Sequence, residues 1–244
     1  MSRTVLITGA SRGIGRAALI ELSRRGYNVI GVCRNNRKKL EKAIEEANSF
    51  GVMALAVPDI NVGDYDQCKK GIYEYIHSQG MSVDCIVNNA GISHVGLLQD
   101  MSPDEWNNII SVNLGSVFNI CSLFIPDMIK KSSGKIINIS SVWGNAGASC
   151  EVAYSASKGG INSFTRALAK ELAPSGIQVN AIAFGAIDTE MNNHLSQEER
   201  LMLEGEIPMG RMGMVEEAAK LIADTIEMPE YLTGQIITMD GGWI

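Results

Sequence analysis

The chain has no excess of positive charge: 21 Lys and Arg stand against 27 Asp and Glu, for a formal net charge of −6. That balance argues against nucleic acid as the main partner, because phosphate-backbone binding rests on clustered basic residues. Cysteine is scarce and patternless. Cys33, Cys68, Cys85, Cys121 and Cys150 are odd in number and widely separated. No metal-site spacing or disulfide framework runs through them, which leaves reduced thiols in a cytosol. No stretch reaches the roughly 18 apolar residues expected of a membrane span. The N-terminus runs directly into TVLIT without a secretory signal pattern. Linkers, charge runs, low-complexity tracts and internal repeats are also missing from the sequence. With 45% hydrophobic and only 20% charged residues over 244 positions, the expectation is one globular, cytoplasmic domain, 1–244, that engages neither nucleic acid nor membrane.

What the chain does have is a regular alternation. β-rich runs fall at 4–8, 28–32, 52–57, 85–88, 135–140, 178–183 and 235–239. Between them lie amphipathic helical patterns near 13–25, 36–50, 64–79, 103–131, 152–173 and 215–227. This βα alternation predicts an α/β fold: a single-domain Rossmann-type doubly wound parallel sheet of about seven strands with helices on both faces.

The first βα turn reads TGASRGIG, with Gly9, Gly13 and Gly15 spaced G-x-x-x-G-x-G. It is a relative of the dinucleotide fingerprint, and the physics is shared. Glycines let the backbone turn tightly and approach a pyrophosphate, while the helix N-terminus offers N–H groups and a positive dipole end. An NAD site wants an acid about 20 residues further on, to accept from the ribose hydroxyls. Here the second strand ends in Cys33 and Arg34 with no acid. Arg34 and Arg12 could meet a 2′-phosphate, so the expected cofactor is NADP(H). Asp59 ends the third strand and NNAG, residues 88–91, ends the fourth. Both fall where a doubly wound sheet binds its ligand.

Tyr154 and Lys158 are four apart in a helical pattern, so they share a face. A phenol has an ordinary pKa of about 10. An ammonium about 4 Å away would favour the phenolate by roughly 4 kcal/mol at an effective dielectric near 20, before desolvation is subtracted. Ser141, thirteen residues before the Tyr, can hydrogen-bond the oxygen that the Tyr protonates. The set reads as a device for moving a proton on and off a carbonyl or alcohol oxygen. Asn113 interrupts a long helical pattern where Asn is a poor helix former, which suggests a distorted helix or a bound water.

TGASRGIG, Asp59, NNAG, Asn113, Ser141, Tyr154-x-x-x-Lys158 and the closing TGQIITMDGG together resemble the short-chain dehydrogenase/reductase family across essentially the whole chain. The resemblance implies that Tyr154 is the general acid and that Ser141 orients the substrate carbonyl. Lys158 would lower the Tyr154 pKa and hold the nicotinamide ribose, and Asn113 would anchor a water in a relay from Lys158. Gly9, Ser11, Arg12, Gly13, Ile14 and Gly15 would line the cofactor from the first turn. Arg34, Asp59, Ile60, Asn89, Ala90 and Gly91 would line it from the next strand ends, and Gly185, Ile187 and Thr189 from the far side, beside Tyr154 and Lys158. Trp143 and Glu151 would join Ser141 and Tyr154 in the substrate pocket. The implied activity is NADPH-dependent reduction of a ketone, without a metal.

Within the family, the pattern is most similar to bacterial 3-oxoacyl-[acyl-carrier-protein] reductases, which would make the substrate a carrier-bound 3-oxoacyl chain. Two positions expected to be basic for gripping the carrier are Ser132 and Ser175, with Lys130, Lys131 and Lys135 as possible substitutes. The segment WGNAGASCEVAYS instead resembles elongation factor P 5-aminopentanone reductases, where Glu151 would pair with a substrate amine. Hydroxysteroid or sugar ketones, and a non-catalytic NADP(H)-binding role, stay open. Phe184 stands where the family usually has Pro, and 186–209 would form the substrate lid. His94 reads as a loop-surface residue. A homotetramer is implied, with Trp243 and Ile244 buried against a partner.

Overall fold

The computed structural model describes residues 3–193 and 195–244. Seven parallel strands form one sheet: β1 (Thr4–Thr8), β2 (Asn28–Val32), β3 (Ala54–Val57), β4 (Cys85–Asn88), β5 (Gly134–Ser141), β6 (Ile177–Phe184) and β7 (Ile236–Met239). Their order is β3-β2-β1-β4-β5-β6-β7. The order reverses between β1 and β4, so a crevice opens there beyond the carboxyl ends of the strands.

The helices are α1 (Gly13–Arg24), α2 (Arg37–Asn48), α3 (65–78), α4 (Pro103–Lys131), a four-residue α5 (Trp143–Ala146), α6 (Val152–Leu172), α7 (Gln197–Glu206) and α8 (Val215–Glu227). Alternate residues of β1 divide the core. Val5 and Ile7 pack with α1, α2 and α8, through residues such as Leu19, Leu40 and Ile222. Leu6 faces the other layer, with Ile76 of α3, Phe124 of α4 and Ile161 of α6. Both faces of the sheet are therefore dry, which is why its strands read as near-continuous apolar runs.

Several sequence expectations shift. β3 begins at Ala54 rather than at 52, and β5 and β6 each run one residue further at both ends. Two helices contain wide π turns, Lys69–Glu74 within α3 and Ser111–Gly115 within α4. Helix α4 is long and apolar enough to cross a membrane by length and composition, contrary to the expectation that no segment would be. Here it lies on the sheet, with Val117, Ile120, Phe124 and Met128 buried in the core.

Candidate active site

The crevice holds a cleft of about 590 Å³, floored by the glycine turn. Gly9 has φ +68°, and a Cβ there would sit 2.9 Å from the Asn89 side chain and 3.0 Å from Ala90 Cα. Only glycine lets β1 turn so close to the end of β4. Thr8 locks the junction from beneath, its hydroxyl accepting from the N–H groups of Asn89 and Ala90 at 3.0 Å each. Arg12 is the N-cap of α1; it makes no side-chain cap hydrogen bond, and the first turn carries no acid. The N–H groups of that turn thus stay available to an anion. A glycine cradle, an uncapped helix N-terminus and the arginines nearby fit a phosphorylated dinucleotide.

Most of the expected cofactor residues line this cleft: Gly9, Ser11, Arg12, Gly13, Ile14, Arg34, Ile60, Asn89, Ala90, Gly91, Gly185, Ile187 and Thr189. Two do not. A Cβ on Gly15 would lie 2.3 Å from the Gly9 carbonyl oxygen, so this glycine serves the packing of α1 beneath the turn. Asp59, at φ +62°, gives its carboxylate to Arg37 and leaves Ile60 to face the cleft. Arg12 is engaged as well. Its guanidinium holds Glu190 at 3.0 Å, and the same carboxylate takes Lys39 at 2.7 Å.

At the other end of the cleft, Ser141 is the last residue of β5, and Tyr154 and Lys158 project from the first turns of α6. Lys158 is 3% exposed, donates to the Ile139 carbonyl at 2.8 Å and lies 5.5 Å from the Tyr154 ring centre. Burial pushes the Tyr154 phenol up to about 12; the Ser141 hydrogen bond draws it down and the nearby Glu151 charge raises it. Burial also brings Lys158 down to about 8. In the protein alone burial thus moves both groups toward their neutral forms, and it is Ser141 that draws the phenol down.

The π turn accounts for Asn113. Fully buried, its side chain accepts from the Ile92 N–H at 2.9 Å and donates to the Ile92 carbonyl at 2.9 Å and to Ser157 Oγ at 3.0 Å. Ser157 in turn donates to the Tyr154 carbonyl at 2.7 Å. Asn113 thus ties α4 both to the loop after β4 and to the helix turn bearing Tyr154. A Cβ on Gly91 would come within 3.5 Å of Asn113 Oδ1 and 3.6 Å of Lys158 Nζ, so these three groups border one small space. Thr8 and Ser157 escaped the sequence reading; a small hydroxyl side chain signals neither role on its own.

The substrate side is aromatic and acidic. Trp143 packs edge-on against Trp243, ring centres 4.9 Å apart, and both line the cleft with Glu151. Within the single chain Trp243 is half-buried against Trp143, while Ile244 is exposed. From 186–209, Met191, Asn192, Leu195 and Leu203 line the cleft, yet α7 itself has no buried residue and turns Leu201 and Met202 to solvent. Phe184 is buried and completes β6, paired with Ser141 on one side and Met239 on the other. A proline there would remove an N–H from a central strand. His94 lies outside the cleft lining, 3.9 Å from Glu105.

Of the basic residues considered for carrier docking, only Lys135 is buried. Lys130 pairs with Asp127 and Lys131 with Asp84, and Lys135 donates to the Met228 carbonyl at 2.6 Å. Ser132 and Gly176, which follows Ser175, meet at the amino end of the sheet, where a Cβ on Gly176 would lie 2.8 Å from the Ser132 carbonyl.

Comparison with known proteins gives one consistent picture. A family model described as short chain dehydrogenase matches residues 3–200. An uncharacterized oxidoreductase, YmfI, of Bacillus subtilis is 39% identical over 100% of this chain and 99% of its own length. The 3-oxoacyl-[acyl-carrier-protein] reductase FabG of Staphylococcus aureus is 40% identical over 99% of this chain and 98% of its own. Among solved structures, a putative gluconate dehydrogenase from Agrobacterium tumefaciens superposes with a TM-score of 0.92 at 32% identity, covering 99% of this chain and 95% of that one.

Proposed function

The chain belongs to the short chain dehydrogenase family of oxidoreductases, and from that premise we propose that it is an NADPH-dependent reductase of a ketone. The observation that carries the reading is the convergence of Ser141, Tyr154 and Lys158 on one cleft whose far end is a glycine cradle. A bound nicotinamide supplies the hydride. The chain supplies the proton and the geometry. Tyr154, with its phenol raised to about 12, stays protonated at neutral pH, the form needed to give a proton to an oxygen that is gaining charge. Ser141 hydrogen-bonds that phenol and stands ready to share the same substrate oxygen. Lys158, near 8, is mostly an ammonium at neutral pH and holds positive charge beside the reacting end. Asn113, through Ser157, fixes the turn that aims Tyr154.

NADPH rather than NADH is supported by Arg34 and Arg12 in the cleft lining and by the lack of an acid at the end of β2. For the substrate, a 3-oxoacyl thioester is the first reading, supported by the name of the S. aureus relative and its match along the whole chain. A second reading, a ketone bearing a primary amine, draws on Glu151 and the Trp143–Trp243 pair in the cleft wall. A carboxylate and aromatic rings both attract an ammonium. Lys135, buried and bonded to the Met228 carbonyl, is not free to grip an acidic carrier. We read the protein as cytoplasmic, in keeping with its five free thiols.

The test compares NADPH oxidation with acetoacetyl-carrier, a short acetoacetyl thioester and an amine-bearing ketone, on wild type and Glu151→Gln. A strong, salt-sensitive carrier preference that ignores Glu151→Gln establishes the acyl reading. Loss confined to the amine-bearing ketone establishes the second. No ketone-dependent oxidation with any of them defeats the reductase proposal.

A further inference from the structure

Glu190 opens a short 3₁₀ turn, Glu190–Asn192, in the segment that lines the cleft after β6. It follows Thr189, which borders Gly13 of the glycine turn, and its carboxylate takes one cation on each oxygen. Oε2 accepts from Arg12 of the glycine turn at 3.0 Å, and Oε1 from Lys39 of α2 at 2.7 Å. These partners lie 178 and 151 residues away in sequence, so the contact is a product of the fold. Next to it, Arg34, Asn35 and Asn36 line the cleft where β2 ends. Arg37, the neighbouring arginine, is held by Asp59. The two cations hold the Glu190 carboxyl below the usual carboxylate range.

We infer that Glu190 is a built-in stand-in for the 2′-phosphate of the cofactor: an internal anion that occupies Arg12 and Lys39 until a phosphate displaces it. The inference rests on the NADPH reading above and adds a specificity-determining residue to it. A carboxylate and a phosphate monoester make the same demand on a guanidinium and an ammonium. They cannot share those two cations without like-charge repulsion, so arrival of the phosphate sends Glu190 off. The displaced residue belongs to the turn that carries Met191 and Asn192 to the cleft wall. Asn192 is fastened there by its donation to the Ile187 carbonyl at 2.8 Å. Binding at the adenosine end is thereby felt at the substrate end.

The experiment titrates NADPH, NADH, 2′,5′-ADP and 5′-AMP into wild type and Glu190→Gln by calorimetry. Hydrogen exchange over 189–193 is followed in the wild type with each of the two adenosine phosphates. Glu190 is exposed, so the variant keeps its fold, and its melting temperature checks this. Glu190→Gln is expected to tighten NADPH and 2′,5′-ADP roughly three- to tenfold, the range expected of two exposed ion pairs. NADH and 5′-AMP should change less than about twofold, and 2′,5′-ADP alone should speed exchange over 189–193. Unchanged or weaker NADPH binding by Glu190→Gln overturns the inference, as does equal tightening of NADPH and NADH. If wild type prefers NADPH and the variant tightens nothing, the inference fails alone. If wild type binds NADH as tightly as NADPH, the cofactor reading fails and takes the inference with it.

Discussion

Tyr154 and Lys158 lie one helical turn apart and are both shifted by burial toward their neutral forms, the phenol up to about 12 and the ammonium down to about 8. The phenolic oxygen is the part that chemistry needs. Tyr154→Phe is expected to lower kcat by about 10²- to 10⁴-fold, the usual worth of a positioned acid, and to leave the NADPH Kd within about threefold. Steady-state kinetics beside a binding titration separate the two, and a variant keeping most of its turnover would remove Tyr154 from the mechanism. The lysine leaves a mark on stability. Between about 8 and its ordinary 10.5, Lys158 binds fewer protons folded than unfolded, so its own contribution to stability rises with pH through that window. Tyr154 has the opposite sign between its ordinary 10 and about 12, and so do the buried thiols of Cys68, Cys85 and Cys121, pushed from 9.0 up to about 12. The Lys158 contribution is therefore read as a difference: by urea unfolding from pH 7.5 to 9.5, the stability of the wild type relative to Lys158→Met should rise with pH. A difference that stays constant over that range would mean that Lys158 keeps its ordinary value.

At the scale of elements, the π turn Ser111–Gly115 is where α4 gives up regularity to let Asn113 hold Ile92 and Ser157. Asn113→Ala would strand the part-buried N–H and carbonyl of Ile92 and leave Ser157 Oγ without its buried donor. The expected cost is about 1–3 kcal/mol by urea unfolding, since groups left unpaired away from water bear a desolvation penalty. A loss under about 1 kcal/mol would show that the loop after β4 is held by something else. This residue also marks how far sequence could reach. Its poor fit to a helix interior announced a distortion, but not that the distortion clamps a loop 21 residues away. Strands and long helices were legible because dry sheet faces and amphipathic helices impose their period on the chain. Helix α7 buries nothing, so no apolar stripe exists to read. Its one signal was the Ser196–Glu199 capping box, which the sequence reading passed over. Asp59 and Gly15 were assigned to the ligand from motif position alone, and a motif records neither that the Asp59 carboxylate turns to Arg37 nor that Gly15 makes room for the Gly9 carbonyl. The Glu190 contacts were beyond reach, since they join three elements that meet only in the folded chain.

At the scale of the molecule, α4 turns two large apolar side chains to solvent. Phe118 is 56% exposed, and Ile129 on the same helix and Val152 at the start of α6 are exposed too. Burying such side chains against a second copy is worth roughly 1.5–3 kcal/mol each, and a homotetramer is the expected assembly. Sedimentation should give a mass four times the 26.3 kDa chain, and Phe118→Lys should lower it; a wild type that sediments as a single chain would end this expectation. The Trp143–Trp243 contact has a consequence of another kind. Two of the three tryptophans of the chain sit in the cleft wall, so the protein carries its own optical reporter. A reduced nicotinamide absorbs where indole emits. Binding should quench the emission and light up the ligand by energy transfer, without any label. In a Trp106→Phe background all the indole emission would come from the cleft.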